Sequence, residues 1–434
     1  MPMDTHRMPR LAQLLLITLL AAAPVAQAAL EVTVRGGRQA PVPVAVVPFA
    51  GAEGERVSQV VADDLASTGL FAPLPREDML TTPQRPEAVK FINWRSVKVQ
   101  HLIIGEVRER DASSSVLQFW LLNVTQERES LSYSIPVRNA DLRYAAHQVA
   151  DLIYEELTGI PGVFNTDIAY ITADGRGDAR EFRLVMADAD GANERTLTRS
   201  DEPLLSPAFA PKRDRMAYVA FQDGTPAIFV QTLATGGVDK VLSKPGINGA
   251  PAFSPDGRRL AVALSFEGNP EIYWVDLASK RLTRLTNNRA IDTEPVWSAD
   301  GRSIYFTSDR AGKAQVYRMD STGGGVERIS FEGISNARPD ISPDGKRLSY
   351  VQQTANGYQI AVHELDSGET RLVTPGPLDE SPRFAPNGDV IIYSTKGRGD
   401  RAELATVTIS SGVRRELRQS GDVREPAWSP FFEQ

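Results

Sequence analysis

From about residue 166 onward the chain alternates short apolar runs with clusters of glycine, proline and aspartate, and this punctuation leaves no room for long stretches of helical 3.6-residue spacing. Runs such as Leu260-Ala-Val-Ala-Leu264, Glu271-Ile-Tyr-Trp-Val-Asp276, Ser303-Ile-Tyr-Phe-Thr307 and Gln315-Val-Tyr-Arg-Met319 have the length and composition of buried strands. A short pattern recurs among them: Pro, any residue, a large apolar residue, Ser or Ala, then usually Pro-Asp-Gly. Its apolar positions are Phe209, Phe253, Trp297, Ile341, Phe384 and Trp428, spaced by 44, 44, 44, 43 and 44 residues. A period of that size fits a four-stranded propeller blade, with Asp-Gly as the hairpin turn after the motif strand. Proline cannot donate to a ladder, so the motif strand, read as running between its two prolines, is expected at the inner edge of each blade, around a central channel.

Three strand-like segments, 168–171, 182–186 and 195–197, precede the first motif, and nothing strand-like follows the last, Pro426 to Pro430. The C-terminal strand is therefore expected to complete the first blade, closing six blades and removing two open edges. Before the propeller, Val44 to Phe49 reads as a strand. Val57 to Thr68 reads as a helix stopped by Gly69, and three strands are expected around 101–107, 116–124 and 131–137. Leu142, Ala145, Ala146, Val149, Leu152, Ile153 and Leu157 form a helical stripe ended by Gly159. The expected fold class is mainly β with a smaller α/β domain: a mobile segment at 29–43, an α/β domain at 44–165 and a six-bladed β-propeller at 166–434.

The N-terminus changes the compartment. His6, Arg7 and Arg10 precede the apolar run Leu11 to Ala23, and Ala26-Gln27-Ala28 has the form of a signal-peptidase site. Residues 1–28 are read as a signal peptide cleaved between Ala28 and Ala29. The run is short for a bilayer, which takes about 20 apolar residues, and no later stretch spans one. With no cysteine, disulfides and thiolate chemistry are excluded, and a formal net charge of −7 argues against nucleic acid and anionic lipid as partners.

No nucleophile elbow, zinc-protease helix, phosphate loop or dinucleotide fingerprint occurs. His101, His147 and His363 lack partner motifs, and the repeated Asp-Gly pairs read as turns rather than calcium ligands. The reading is no catalytic residue, no cofactor and no metal. What remains is the set of loops leading into the inner strands, at one mouth of the channel. They carry Asp201, Glu202, Asn248, Asp292, Thr293, Glu294, Asn336, Arg338, Asp379, Glu380, Asp422, Arg424 and Glu425, with acid in excess. That face is either a merely solvated one or a docking surface using complementary charge.

These residues resemble the TolB family, periplasmic components of the Tol-Pal system of Gram-negative bacteria. The similarity runs over the whole chain and includes Val46-Val-Pro-Phe49, Leu142-Arg-Tyr-Ala145, Leu157-Thr-Gly-Ile160, Gly249 to Gly257, Thr293-Glu-Pro295, Phe306-Thr-Ser-Asp309, Gln315-Val-Tyr317 and Pro426-Ala-Trp-Ser-Pro430. The resemblance implies a non-enzymatic periplasmic scaffold for outer-membrane integrity and for outer-membrane invagination at division. It implies Pal lipoprotein bound at the propeller mouth, with Asn248, Thr293, Glu294, Arg338, Asp379, Glu380 and Arg424 as candidates. TolA would bind a segment beginning at Glu31-Val32-Thr33-Val34, and the TolQ-TolR complex and peptidoglycan would be indirect partners. Arg35-Gly36-Gly37-Arg38 departs from the family, whose segment continues with acidic and serine residues. Two other readings are a propeller accessory to a peptidase or other hydrolase, and a periplasmic ligand-binding propeller. The first needs a hydrolase domain, for which the four residues after Pro430 leave no room; the second needs clustered histidines or aromatics on the lead-in loops.

Overall fold

The computed structural model describes residues 40–175, 180–397, 399, 401–417 and 419–432. The expected signal peptide, its cleavage position at Ala28 and Ala29, and Glu31 to Val34 with Arg35 to Arg38 lie outside these residues.

The front domain is a five-stranded sheet in the order β2-β1-β3-β4-β5. Strand β1 (Val42–Val46) runs parallel to both β2 (Phe71–Pro73) and β3 (His101–Glu109), and β4 (Ser114–Asn123) and β5 (Arg128–Arg138) complete an antiparallel meander. Helices α1 (Gly54–Ser67) and α3 (Leu142–Thr158) cover one face, over Val44, Val46 and Ile103. The short α2 (Phe91–Ser96) brings Trp94 against Ala45, Val47, Leu102 and Ile104 on the other. Burial on both faces explains why β1 is apolar throughout instead of alternating. Gly159, at φ 73°, ends α3 in the left-handed conformation that glycine tolerates, and its N–H donates to the Glu155 carbonyl. Val42 and Pro43, expected in the mobile segment, instead pair with Phe71 and Ala72. The three-residue β2 is too short to leave a sequence pattern.

Among the described residues the rest of the chain forms six four-stranded sheets. Five are consecutive in sequence. The other joins the C-terminal β29 (Asp422–Trp428) to β6 (Asp167–Asp174), β7 (Glu181–Asp188) and β8 (Arg195–Ser200). That clasp is held by the ladder and by three polar ties: Trp428 Nε1 to Thr166 Oγ1 at 2.8 Å, Ser429 N to the Asp167 carbonyl at 2.9 Å, and Asp167 N to Ser429 Oγ at 2.9 Å. Asp256, Asp300 and Asp344 sit in hairpin turns. In the first of these, Asp256 Oδ1 accepts from Ser254 Oγ at 2.6 Å and from Arg258 N at 3.0 Å. The serine hydroxyl and the backbone N–H hold its carboxyl below the ordinary range.

The inner strands are β9 (Leu204–Phe209), β13 (Asn248–Phe253), β17 (Asp292–Trp297), β21 (Ser335–Ile341), β25 (Glu380–Phe384) and β29. Each is an edge of its sheet, but the motif proline is not where the strand begins. Pairing starts earlier and is interrupted at the proline by a bulge, as between Gly249 and Ala252 in β13. The residue before each proline has a positive φ: Ser206 51°, Ala250 49°, Glu294 54°, Arg338 54°, Ser381 55° and Glu425 51°. A non-glycine residue there costs about 1–2 kcal/mol, and a β-branched one more. Replacing Ala250 by Val is therefore expected to lower stability by about 1–2 kcal/mol, while Ala250→Gly stays within about 1 kcal/mol of the parent. Denaturant unfolding of both variants checks this, and equal stabilities would contradict it.

Candidate docking surface at the propeller mouth

The two ends of the propeller differ. At the end carrying the Pro-Asp-Gly turns, the front domain is seated: Asn387 Nδ2 donates to the Pro161 carbonyl at 3.1 Å, and Ser411 Oγ to the Thr68 carbonyl at 2.8 Å. Arg143 of α3 pairs with Asp188 at the end of β7 and with Asp190 on the turn after it, and Tyr144 meets Phe432 edge to face at 5.7 Å. The lead-in loops lie at the opposite end, because each inner strand runs from its lead-in loop to its Pro-Asp-Gly turn.

The bulges aim their left-handed residues into the channel just inside this mouth. Glu294 Oε2 accepts from Thr307 Oγ1 at 2.8 Å and from Arg338 N at 2.9 Å, and its Oε1 lies 3.2 Å from Arg338 Nε. Arg338 also donates to Ser381 Oγ and faces Glu425 at 3.9 Å, while Glu425 accepts from Ser206 N. One arginine thus braces inner strands of four blades, and Glu425 continues the brace to a fifth. Burial disfavours the Arg338 cation, but Glu294, Glu425 and Glu380 outweigh it and raise its pKa above the ordinary value. Below the brace is a channel of about 420 Å³, lined by Phe209, Phe253, Ile341, Phe384 and Trp428 from the repeated motif, with Asp340 and Arg383.

The expected mouth residues divide in three. The side chains of Asn248 and Asp379 are buried. Asn248 Oδ1 accepts from Lys244 N at 2.8 Å, and its amide donates to the carbonyls of Lys244 and Gly246. Asp379 accepts from Gly376 N at 2.8 Å and Thr395 Oγ1 at 2.6 Å. Both shape lead-in loops and leave no polar atom on the free surface, as do the buried Asp292 and Asn336. Glu294 and Arg338 belong to the brace, and Thr293 lines the channel beside them. Glu380 and Arg424 are exposed. They line a cavity of about 270 Å³ with Arg338, Lys396, Arg401 and Glu425, so basic groups outnumber acidic ones there. The expected acid excess does not describe this part of the rim.

A further feature went unread in the sequence. Leu205, Ile247, Ile291, Phe331, Ile334, Tyr358 and Leu378 are all exposed large apolar residues; five sit on the lead-in loops, and Leu205 and Tyr358 sit at the mouth-side starts of β9 and of the strand Gly357–Glu364. Phe331 is 70% exposed. Single exposed apolar residues are ordinary, but a crown of them around one rim, mixed with charge, is the composition of a protein-binding surface. Phe331 and Tyr358 are the aromatics of this crown.

Asp340, inside the channel, accepts from Phe384 N at 2.7 Å and lies 3.6 Å from Arg383. Burial pushes its carboxyl up to about 6, with Arg383 pulling the other way. A carboxylate whose folded pKa is raised adds stability below its unfolded pKa of about 4 and loses it as pH rises through 6. Asp340→Asn should therefore gain on the parent between pH 4 and pH 6.5, and stay level above that. Thermal unfolding across that range measures it; a gap independent of pH would refute the assignment.

Comparison with known proteins shows the family. The TolB beta propeller domain matches residues 154–432, and the TolB amino-terminal domain matches residues 30–130. Similar relatives include the Tol-Pal system protein TolB of Thioalkalivibrio sulfidiphilus, 52% identical over 433 residues, with 98% of this chain and 99% of the relative covered. The protein of the same description from Methylococcus capsulatus is 56% identical over 415 residues, covering 95% and 97%. The crystal structure of TolB from Acinetobacter baumannii superposes with a TM-score of 0.84 at 36% identity, covering 91% of this chain and 97% of that one.

Proposed function

The chain belongs to the TolB family of Tol-Pal system proteins, and from that premise we propose that it is an exported, non-enzymatic periplasmic scaffold. It docks the lipoprotein Pal on the free mouth of the propeller. It engages TolA through the N-terminal segment beginning at Glu31 to Val34, and through these two it is linked to TolQ-TolR and to peptidoglycan. Its work is maintenance of the outer membrane and its invagination during division.

The observation that carries the reading is the crown of exposed apolar side chains on the end facing away from the front domain. In such an interface a few large apolar anchors supply most of the affinity, while rim charges set on-rate and orientation. Phe331, Ile291 and Leu378 are suited to the first role, and Glu380, Lys396, Arg401 and Arg424 to the second. Glu294 and Arg338 contribute indirectly, by holding the rim. An extended segment commonly recognises a partner by adding a strand to an exposed sheet edge, and that is the mode proposed for TolA.

Calorimetry of the purified protein with the soluble domain of its own organism's Pal tests the first half. Saturable one-to-one binding is expected. Phe331→Asp should weaken it at least tenfold, about 1.4 kcal/mol, and Glu380→Lys should change it by severalfold with an altered salt dependence. Unchanged affinity in both variants would remove Pal from this mouth. Deleting residues 31–34 should abolish binding to the TolA C-terminal domain while leaving Pal affinity within twofold of the parent; retained TolA binding would sink the assignment of that segment.

A further inference from the structure

The seam between α3 and the first blade carries a charged cluster beside the Tyr144–Phe432 contact. His147 of α3 is 2% exposed, and its Nδ1 lies 2.6 Å from Asp64 Oδ2 of α1. In the tautomer that donates Nδ1–H to Asp64, the lone pair of Nε2 points away, toward the turn after β7. Nε2 has no hydrogen-bond partner and lies 3.8 Å from Asp188 Oδ2. Nε2 and one carboxylate oxygen each of Asp188 and Asp190 lie within 4.8 Å of one another.

A buried imidazole backed by a carboxylate on one nitrogen and facing two carboxylates with the other is the way proteins prepare a histidine for a metal ion. The charges agree. With all three carboxylates ionised and His147 neutral, Asp64, Asp188 and Asp190 set three negative charges against the one positive charge of Arg143, an excess of two that burial of Asp64 and Asp188 opposes and that a bound cation or protons would relieve. Such an excess in a largely dehydrated place calls for a cation.

We propose that His147 Nε2, Asp188 and Asp190 form a site for one divalent transition-metal ion of the zinc class, clipping the front domain to the first blade. The mixed nitrogen and oxygen donor set suits zinc, cobalt or nickel better than calcium or magnesium, which take oxygen. Zinc distances of about 2.0–2.2 Å require donors to close to roughly 3.3 Å from one another, a rotation available to Asp190 on its partly exposed turn. Arg143, whose Nε lies 3.2 Å from Asp188 Oδ2 and whose Nη2 contacts Asp190, is the competitor. Its side chain is 22% exposed, so it can turn to solvent when the ion enters. Asn193, 2.8 Å from Asp188 Oδ2, keeps that carboxylate oriented.

The test uses the full protein stripped with a chelator, titrated with Zn²⁺ in a calorimeter and with Co²⁺ in a visible spectrometer. One equivalent bound at micromolar concentration or tighter is expected, with d–d absorption for cobalt and a rise of several degrees in the unfolding midpoint. His147→Gln and Asp190→Asn should each weaken binding at least tenfold, and Arg143→Gln should tighten it severalfold by removing the competing cation. Asp190→Asn, at a partly exposed turn, keeps the experiment readable if His147→Gln does not fold. Zn²⁺ uptake no greater than that of Asp190→Asn, or uptake indifferent to both substitutions, would overturn the site. An unfolding midpoint that answers to pH but not to Zn²⁺ would overturn it too, since protons alone would then balance the cluster.

Discussion

The architecture depends on a backbone constraint repeated once per blade: a bulge at an X-Pro step on the inner strand, with X held at positive φ. A bulge leaves an extra residue whose N–H and carbonyl fall out of the ladder. Placing proline there removes one of the donors that would go unsatisfied, and an inner edge is where a strand can give up ladder bonds. The strain is tolerable because the neighbouring strand holds register on both sides of the bulge. Its consequence is directional. Each bulge turns one side chain into the channel, so Ser206, Ala250, Glu294, Arg338, Ser381 and Glu425 converge although they are far apart in sequence.

Convergence creates an electrostatic demand that a single arginine meets. Two carboxylates inside the ring and a third at its edge would repel one another, and Arg338 pairs with Glu294, faces Glu425 and lies within the field of Glu380. Arginine suits this position because its planar fork serves several acceptors while remaining charged. The brace ties consecutive blades together and, through Arg338 and Glu425, reaches past the blade of β25 to the first, where the pairing of β29 with β6 joins the two ends of the propeller. Closure is therefore made twice, by ladder on the channel side of the first blade and by charge at the mouth.

The periodic parts of this fold were legible in the sequence and the aperiodic parts were not. Spacing of the motif's apolar positions was enough for the blade count, and the stripe on α3 with Gly159 was enough for that helix and its end. Strand β2 and helix α2 were missed because three and six residues carry no period. The prolines were read as strand ends, since the usual meaning of proline in a sheet is a boundary, and an X-Pro bulge looks the same in one dimension. At the mouth, polar residues just before the inner strands were read as surface. Asn248 and Asp379 point inward because a sharp lead-in loop needs its backbone groups satisfied from within. The apolar crown escaped notice because Ile247, Ile291 and Leu378 are isolated in sequence, each flanked by glycine, proline, alanine or a polar residue. Only the ring brings them to one rim.

That division has a consequence for reading any variant of the mouth. Side chains there belong to two populations that sequence position does not separate. Glu294, Arg338, Asn248 and Asp379 keep the rim in shape through bonds within the chain, so changing them alters every neighbour at once. Phe331, Ile291, Leu378, Glu380 and Arg424 project from a scaffold that does not need them. A loss of binding in the first population mixes recognition with repacking, because the removed group leaves buried partners unsatisfied at a cost of about 1–3 kcal/mol each. In the second, surface substitutions shift stability by only about 0.5 kcal/mol, so a tenfold loss of affinity must arise in the contact itself. The distinction follows from burial and bonding alone, and it makes the exposed crown, rather than the charged ring beneath it, the part of the mouth where partner recognition can be measured cleanly.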